Sequence, residues 1–201
     1  MSRLKKTKKY PSWDNKGYTL IELIVILAII GILTTGVVGI FNILAGRQAR
    51  EIAEDLLSSL GKVRVITMSQ STGAADTAAE ADVYLEVELT GGFCNISQVR
   101  KKDDGTIYVV DSIRIKSDGL TSFMTFSDTG ITALVGDGVT GAEHMGSDGY
   151  TLILAYDRST GGFIPQDDAE HYIKKIRIAQ GNRAYELILT PATGKVELKG
   201  A

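Results

Sequence analysis

One carboxylate stands alone in the most apolar part of this sequence. Between Tyr18 and Gly46, 29 residues carry a single charge, Glu22. An ionised carboxylate inside such a run costs several kcal/mol unless it lies near a membrane interface or has a partner, so Glu22 is a functional candidate by default. The other chemistry-bearing patterns are weaker. Gly136-Asp-Gly138-Val-Thr-Gly141 has the G-x-G-x-x-G spacing, but a dinucleotide loop must open a helix, and Gly146 and Gly149 interrupt the next turns. Asp128, Asp137, Glu143 and Asp148 could offer oxygens to calcium, yet they lack EF-hand order and read as a solvated turn region. His144 and His171 have no second ligand at zinc spacing. The single cysteine, Cys94, excludes an intrachain disulfide and reads as an inert buried thiol. No nucleophile–base pair or spaced carboxylate dyad stands out, so no catalytic site, cofactor or metal is expected.

The elements that position Glu22 follow from charge and hydropathy. The first 17 residues hold six basic groups (Arg3, Lys5, Lys6, Lys8, Lys9 and Lys16) against one acid, Asp14. Without that head, the 201-residue chain keeps 16 basic and 23 acidic groups, a net charge of −7 in place of −2. An acidic body argues against broad electrostatic binding to nucleic acid. The apolar run is longer than the ~7–15 residues of an ordinary secretory signal, and about 20 residues suffice to span a bilayer. The basic head is expected to stay cytoplasmic, placing everything after Gly46 outside.

Basic head, Lys16-Gly17-Tyr18-Thr19-Leu20-Ile21-Glu22 and long apolar run together closely resemble the class III signal of type IV prepilins and type II secretion pseudopilins. The resemblance implies cleavage by a membrane aspartyl peptidase between Gly17 and Tyr18, N-methylation of Tyr18, and Glu22 as the fifth residue of the mature chain. The new α-amino group on Tyr18 would lie one helical turn from Glu22 on the same face, where the carboxylate could neutralise it. In the family this glutamate is thought to meet the N-terminus of a neighbouring subunit, which makes it a registry device: a misplaced subunit leaves a buried charge unpaired. The alternative is a first-turn acid at headgroup level, favoured by the helix dipole. Two features depart from the family pattern. The first mature residue is Tyr18 where Phe is usual, and Gly39 stands where many members carry a kinking proline. Gly31, Thr35 and Gly39 form a small-residue stripe at i, i+4 and i+8, either a packing face between helices or ordinary membrane-helix composition.

Beyond the apolar run the helical pattern becomes amphipathic. Ala49, Ala53, Leu56, Leu60 and Val63 step by four and three, flanked by Ile52, Leu57 and Ile66. The expectation is one long helix from about Tyr18 to Ser69, its second half packed on the rest of the chain. Ser71–Asp82 reads as a polar exit loop. The period then changes to two: Val83, Leu85, Val87 and Leu89 alternate with Tyr84, Glu86 and Glu88. Further strands are expected near 106–116, 120–126, 131–135, 150–156, 172–178, 184–190 and 195–198, the last two joined through Pro191–Gly194. The expected fold class is therefore α+β, a long N-terminal helix on a small antiparallel β domain, and the resemblance implies the same pilin-like architecture. With that resemblance the expected parts are a cleaved basic leader (1–17), a transmembrane or filament-core helix (18–45), an amphipathic half (46–70) and an extracytoplasmic β-rich domain (71–201). The strings around Phe126–Ala133 and Thr193–Leu198 bear a weaker resemblance to H-type minor pseudopilins.

The expected function is structural: a non-enzymatic subunit, minor by that weaker resemblance, of a type IV pilus-like or type II secretion pseudopilus filament. Its partners would be other pilin subunits, the prepilin peptidase and the cell membrane, with roles in adhesion, protein secretion or DNA uptake. The rival is an uncleaved single-pass binding module that displays its β domain outside.

Overall fold

The computed structural model describes residues 19–44, 46–69, 75–102, 104–117, 119–136 and 151–200, with side chains left out at 34–44 and 131–136. The chain forms two compact units, Met1–Asn42 and Ile43–Ala201. The first contains most of α1 (Leu20–Leu44), a proline-free helix rich in Leu, Ile and Val. The second holds α2 (Arg47–Ser69). Two helices thus stand where one was expected from Tyr18 to Ser69. Gly46, between them, has φ +88, a left-handed conformation that ends a right-handed helical path. A side chain there would also collide with Arg183, whose Cβ and Cδ lie 2.8 Å from the position of a Cβ.

Among the described residues nine strands follow: β1 (Val83–Thr90), β2 (Phe93–Lys101), β3 (Ile107–Lys116), β4 (Leu120–Ser127), β5 (Gly130–Gly136), β6 (Thr151–Ala155), β7 (Ile173–Gln180), β8 (Arg183–Thr190) and β9 (Lys195–Gly200). They make two antiparallel sheets, ordered β3-β2-β1-β6 and β5-β4-β7-β8-β9. The α+β class and the alternating strands agree with the sequence pattern, but β2 was not expected. Its string Phe-Cys-Asn-Ile-Ser-Gln-Val-Arg-Lys places polar residues at inward as well as outward positions. Gln98 is buried and its amide donates to Asp111 across the ladder at 3.4 Å. Pairing with β1 and β3 on its two sides makes this polar segment a central strand. Gly91 and Gly92, at φ +58 and +77, supply the two-residue turn that joins it to β1.

The core lies where α2 meets both sheets. Ala49, Ile52, Ala53, Leu56, Leu60 and Val63 are fully buried against Leu85, Val87 and Leu152 of the first sheet and Phe123, Ile176 and Leu187 of the second. Burying each leucine or isoleucine contributes roughly 1.5–3 kcal/mol. By contrast, the helix-surface pair Arg50–Glu54 (2.7 Å) is exposed on both sides and contributes little. The far side of the first sheet is covered too. Tyr84, placed by its alternation opposite the core, packs there with Val99, Ala78, Ala81 and Ile164. Residues 75–82 are accordingly more than an exit loop, and Ala78 N–H donates to the Pro165 carbonyl at 2.8 Å.

At the other end of α2, Arg64 donates to the Thr193 carbonyl at 2.8 Å, and Tyr156 stacks on Phe163 with ring centroids 4.4 Å apart. Burial pushes the Tyr156 phenol upward from its ordinary range. In the core of the second sheet, the Thr125 hydroxyl is buried with no partner among the described residues. Thr125→Val replaces that hydroxyl with a methyl of the same shape. It should stabilise the protein by about 1 kcal/mol, read as a higher urea midpoint at unchanged m-value. A lower midpoint would mean that the hydroxyl is satisfied.

Candidate functional site

The start of α1 is a closed hydrogen-bonded unit. Thr19 precedes the helix, and its carbonyl accepts the first helical bond from Leu23 N–H at 3.2 Å. The Thr19 hydroxyl oxygen accepts from Glu22 N–H at 3.3 Å. In return, one Glu22 carboxylate oxygen accepts from Thr19 N–H at 2.8 Å and from the Thr19 hydroxyl at 2.9 Å. This is a capping box, with Thr at the N-cap and Glu three residues on, each satisfying a backbone donor of the other. Glu22 is also the one acid of the first turn, where the helix dipole favours negative charge.

The surroundings of that carboxylate are apolar. Leu20, Ile21, Leu23 and Ile24 are 79, 69, 54 and 55% exposed, and the large side chains stay more than 40% exposed as far as Leu33. Taken over the described residues, no helix is long and apolar enough to cross a membrane. An exposed apolar surface of this extent is nonetheless unusual for a chain that stays alone in water.

Gly17 and Tyr18 lie outside the described residues. Gly31 sits on α1 with open space around the position of a Cβ. Thr35 and Gly39 lie on the same helix at i+4 and i+8 from it, their surroundings outside the described residues. Glu22 stands out in the sequence as a lone charge, whereas Thr19 enters as a functional residue only with the helix in place. Its signal is nevertheless local, because Thr-x-x-Glu before an apolar run marks a helix start.

The other candidates are dispersed. Asp128, in the β4–β5 hairpin, forms an ion pair with Lys174, which holds its carboxyl below the usual carboxylate range. His171 Nδ1 lies 2.7 Å from Asp167. Asp137, Glu143, His144 and Asp148 fall outside the described residues, as does the glycine-rich string after Gly136. Cys94 is fully buried, and burial pushes its thiol up to about 12.

The geometry defines a class: an α+β body preceded by an exposed apolar helix that a Thr–Glu box opens. The helix carries a more particular signature. Residues 14–38 match the prokaryotic N-terminal methylation motif, the class III prepilin signal of type IV pilins and pseudopilins. The match covers 25 residues of the chain and includes Gly17, Tyr18, Thr19, Glu22, Gly31 and Thr35. Compared with curated proteins and with solved structures, the chain has no match.

Proposed function

We propose that this chain is a minor, structural, non-enzymatic subunit of a type IV pilus-like or type II secretion pseudopilus filament. The observation that carries the reading is the methylation motif at residues 14–38, coincident with the basic head and the lone Glu22. In this reading residues 1–17 are a leader that holds the precursor in cytoplasm-inside orientation. A prepilin peptidase cuts after Gly17, and Tyr18 is N-methylated. The 18–45 helix rests in the membrane and then joins the filament core, with Gly31, Thr35 and Gly39 as its close-packing stripe. The exposed apolar side chains of Leu20–Leu33 supply the surface that lipid and then neighbouring helices would cover. The β body stays outside, displayed by the 46–70 helix half, which packs against it.

The test is the N-terminus of the chain expressed with and without a prepilin peptidase. Intact mass and N-terminal sequencing should show Met1–Gly17 lost and a methylated Tyr18 exposed only when the peptidase is present. Retention of Met1–Gly17 beside an active peptidase would overturn the reading and leave the uncleaved anchored binding module in its place.

A further inference from the structure

The β body carries opposite charge at its two ends. One end gathers around Gly46, where the chain enters. Gln180 ties the entry down: its side-chain oxygen accepts from Gln48 N–H at 3.2 Å, and its amide donates to the Gln48 side-chain oxygen at 2.8 Å. Leu120, the first residue of β4, pairs with Gln180, and Ser117 N–H donates to the Gly92 carbonyl at 2.8 Å. The β1–β2 turn, the β3–β4 connection and the β7–β8 turn therefore meet at this end. Residues 46–48, 90–93, 116–120 and 180–183 hold Arg47, Lys116 and Arg183 against one acid, Asp118, which lies outside the described residues. All three basic residues are exposed, and the stem carbons of Arg183 pack at Gly46. The strands run from here to an end of the other sign. The segments that lead into β1 and β7, residues 75–82 and 165–172, hold Asp76, Glu80, Asp82, Asp167, Asp168 and Glu170 and no lysine or arginine. Ala78 N–H joins them by donating to the Pro165 carbonyl at 2.8 Å. Charge separated in this way orients a molecule in the field of a charged surface.

We propose that the Gly46 end of the body rests on the headgroups of anionic phospholipid through Arg47, Lys116 and Arg183, with the acidic end turned away from the bilayer. The choice of partner rests on the subunit reading, in which the apolar helix is held in the membrane before assembly. The chain itself then delivers this end to the surface. α1 ends at Leu44, three positions before Arg47, and three extended residues reach no farther than about 10 Å, roughly one Debye length at physiological salt. Basic groups within that distance are drawn to anionic headgroups. The acidic segments lie a strand's length away. β1 and β7 have eight residues each, which at about 3.4 Å per residue places those carboxylates some 25 Å farther out, where salt screens their repulsion. The near, basic end therefore decides the sign of the interaction, although the body as a whole is acidic.

The experiment uses the full, unprocessed chain in vesicles of phosphatidylcholine alone or mixed with phosphatidylglycerol, each containing a headgroup nitroxide lipid as quencher. A fluorescent maleimide is placed at Asn182→Cys in the β7–β8 turn, or at Asp168→Cys on the acidic end as the control, both exposed positions. Cys94 is buried and its thiol is pushed up to about 12, so the introduced thiol is the one that reacts at neutral pH. Phosphatidylglycerol should raise quenching of the Asn182→Cys label about threefold and leave the Asp168→Cys label unchanged. High salt should abolish the gain, as should Arg47→Gln, Lys116→Gln and Arg183→Gln combined. Glutamine keeps the three stem carbons that pack at Gly46. Equal quenching in the two kinds of vesicle, or a gain that survives the combined variant, would overturn the proposal. A gain that vanishes when the protein is diluted to one copy per vesicle also overturns it, and assigns the basic end to the acidic end of a second copy. Flotation of the same samples separates the two readings. A chain that does not float refutes the membrane helix of the subunit reading and this proposal with it, whereas a floating chain with equal quenching refutes this proposal alone.

Discussion

Gly194→Ala is expected to destabilise the body by about 3 kcal/mol, a large effect for a single added methyl group. Two costs add. Gly194 closes the turn between β8 and β9 at φ +63, a left-handed conformation that costs a residue with a Cβ roughly 1–2 kcal/mol. That Cβ would also overlap the Gly161 carbonyl oxygen and approach Tyr156 Cε1 to 2.9 Å. Both neighbours are held: Gly161 N–H donates to the Asp157 carbonyl at 2.8 Å, and Tyr156 is stacked on Phe163. Forcing them apart adds about 1–3 kcal/mol, as overpacking of a close-fitted interior does. Gly91→Ala is the control, because Gly91 has φ +58 and open space around its Cβ. It should cost only the conformational part, about 1–2 kcal/mol. Urea unfolding of the two variants against the parent measures the difference. Equal losses would show that the 157–163 loop yields without resistance.

Glu22→Gln is expected to be processed normally yet excluded from filaments. Glu22 has two possible tasks, to cap the helix and to supply a negative charge, and the capping box shows how to separate them. A glutamine keeps a side-chain oxygen in reach of Thr19 N–H and its hydroxyl, so the helix start is preserved. It removes the charge that would neutralise the α-amino group of Tyr18. In the subunit reading, Glu22→Gln is therefore cut after Gly17 as efficiently as the parent but fails to enter filaments beside wild-type subunits. Glu22→Ala should fail equally. Thr19→Ala, which removes the cap hydroxyl and keeps the charge, should assemble. The measurement is the variant's share in sheared filaments against its share in the membrane. Normal incorporation of Glu22→Gln would assign the glutamate to capping alone and sink the registry role.

How much of the fold is legible in the sequence depends on whether a signal is local. Helix α2 and eight of the nine described strands follow from periodicity, because Ala49–Val63 repeats every three to four residues and Val83–Leu89 every two. The break at Gly46 is not legible, since glycine is compatible with a continuing helix. A side chain at that position is excluded by Arg183, which packs there from 137 positions away in sequence. Strand β2 is hidden for a similar reason: Asn95, Ser97 and Gln98 become strand residues only when β1 and β3 flank them. The candidate site divides the same way. Glu22 is conspicuous as a lone charge, whereas the role of Thr19 emerges only once helix α1 begins directly after it.

What the sequence alone determined is a contiguous pattern: a basic head, one carboxylate in an apolar run, and the methylation motif that spans their junction. Contiguous groups need no fold to bring them together, so their spacing is already their geometry. The tertiary structure decided which surfaces are closed and which are open. The far face of the first sheet is covered by Ala78, Ala81 and Ile164, while the outer edge of β3 is left bare among the described residues. Burial is a property of distant residues meeting, and no local pattern encodes which neighbour arrives.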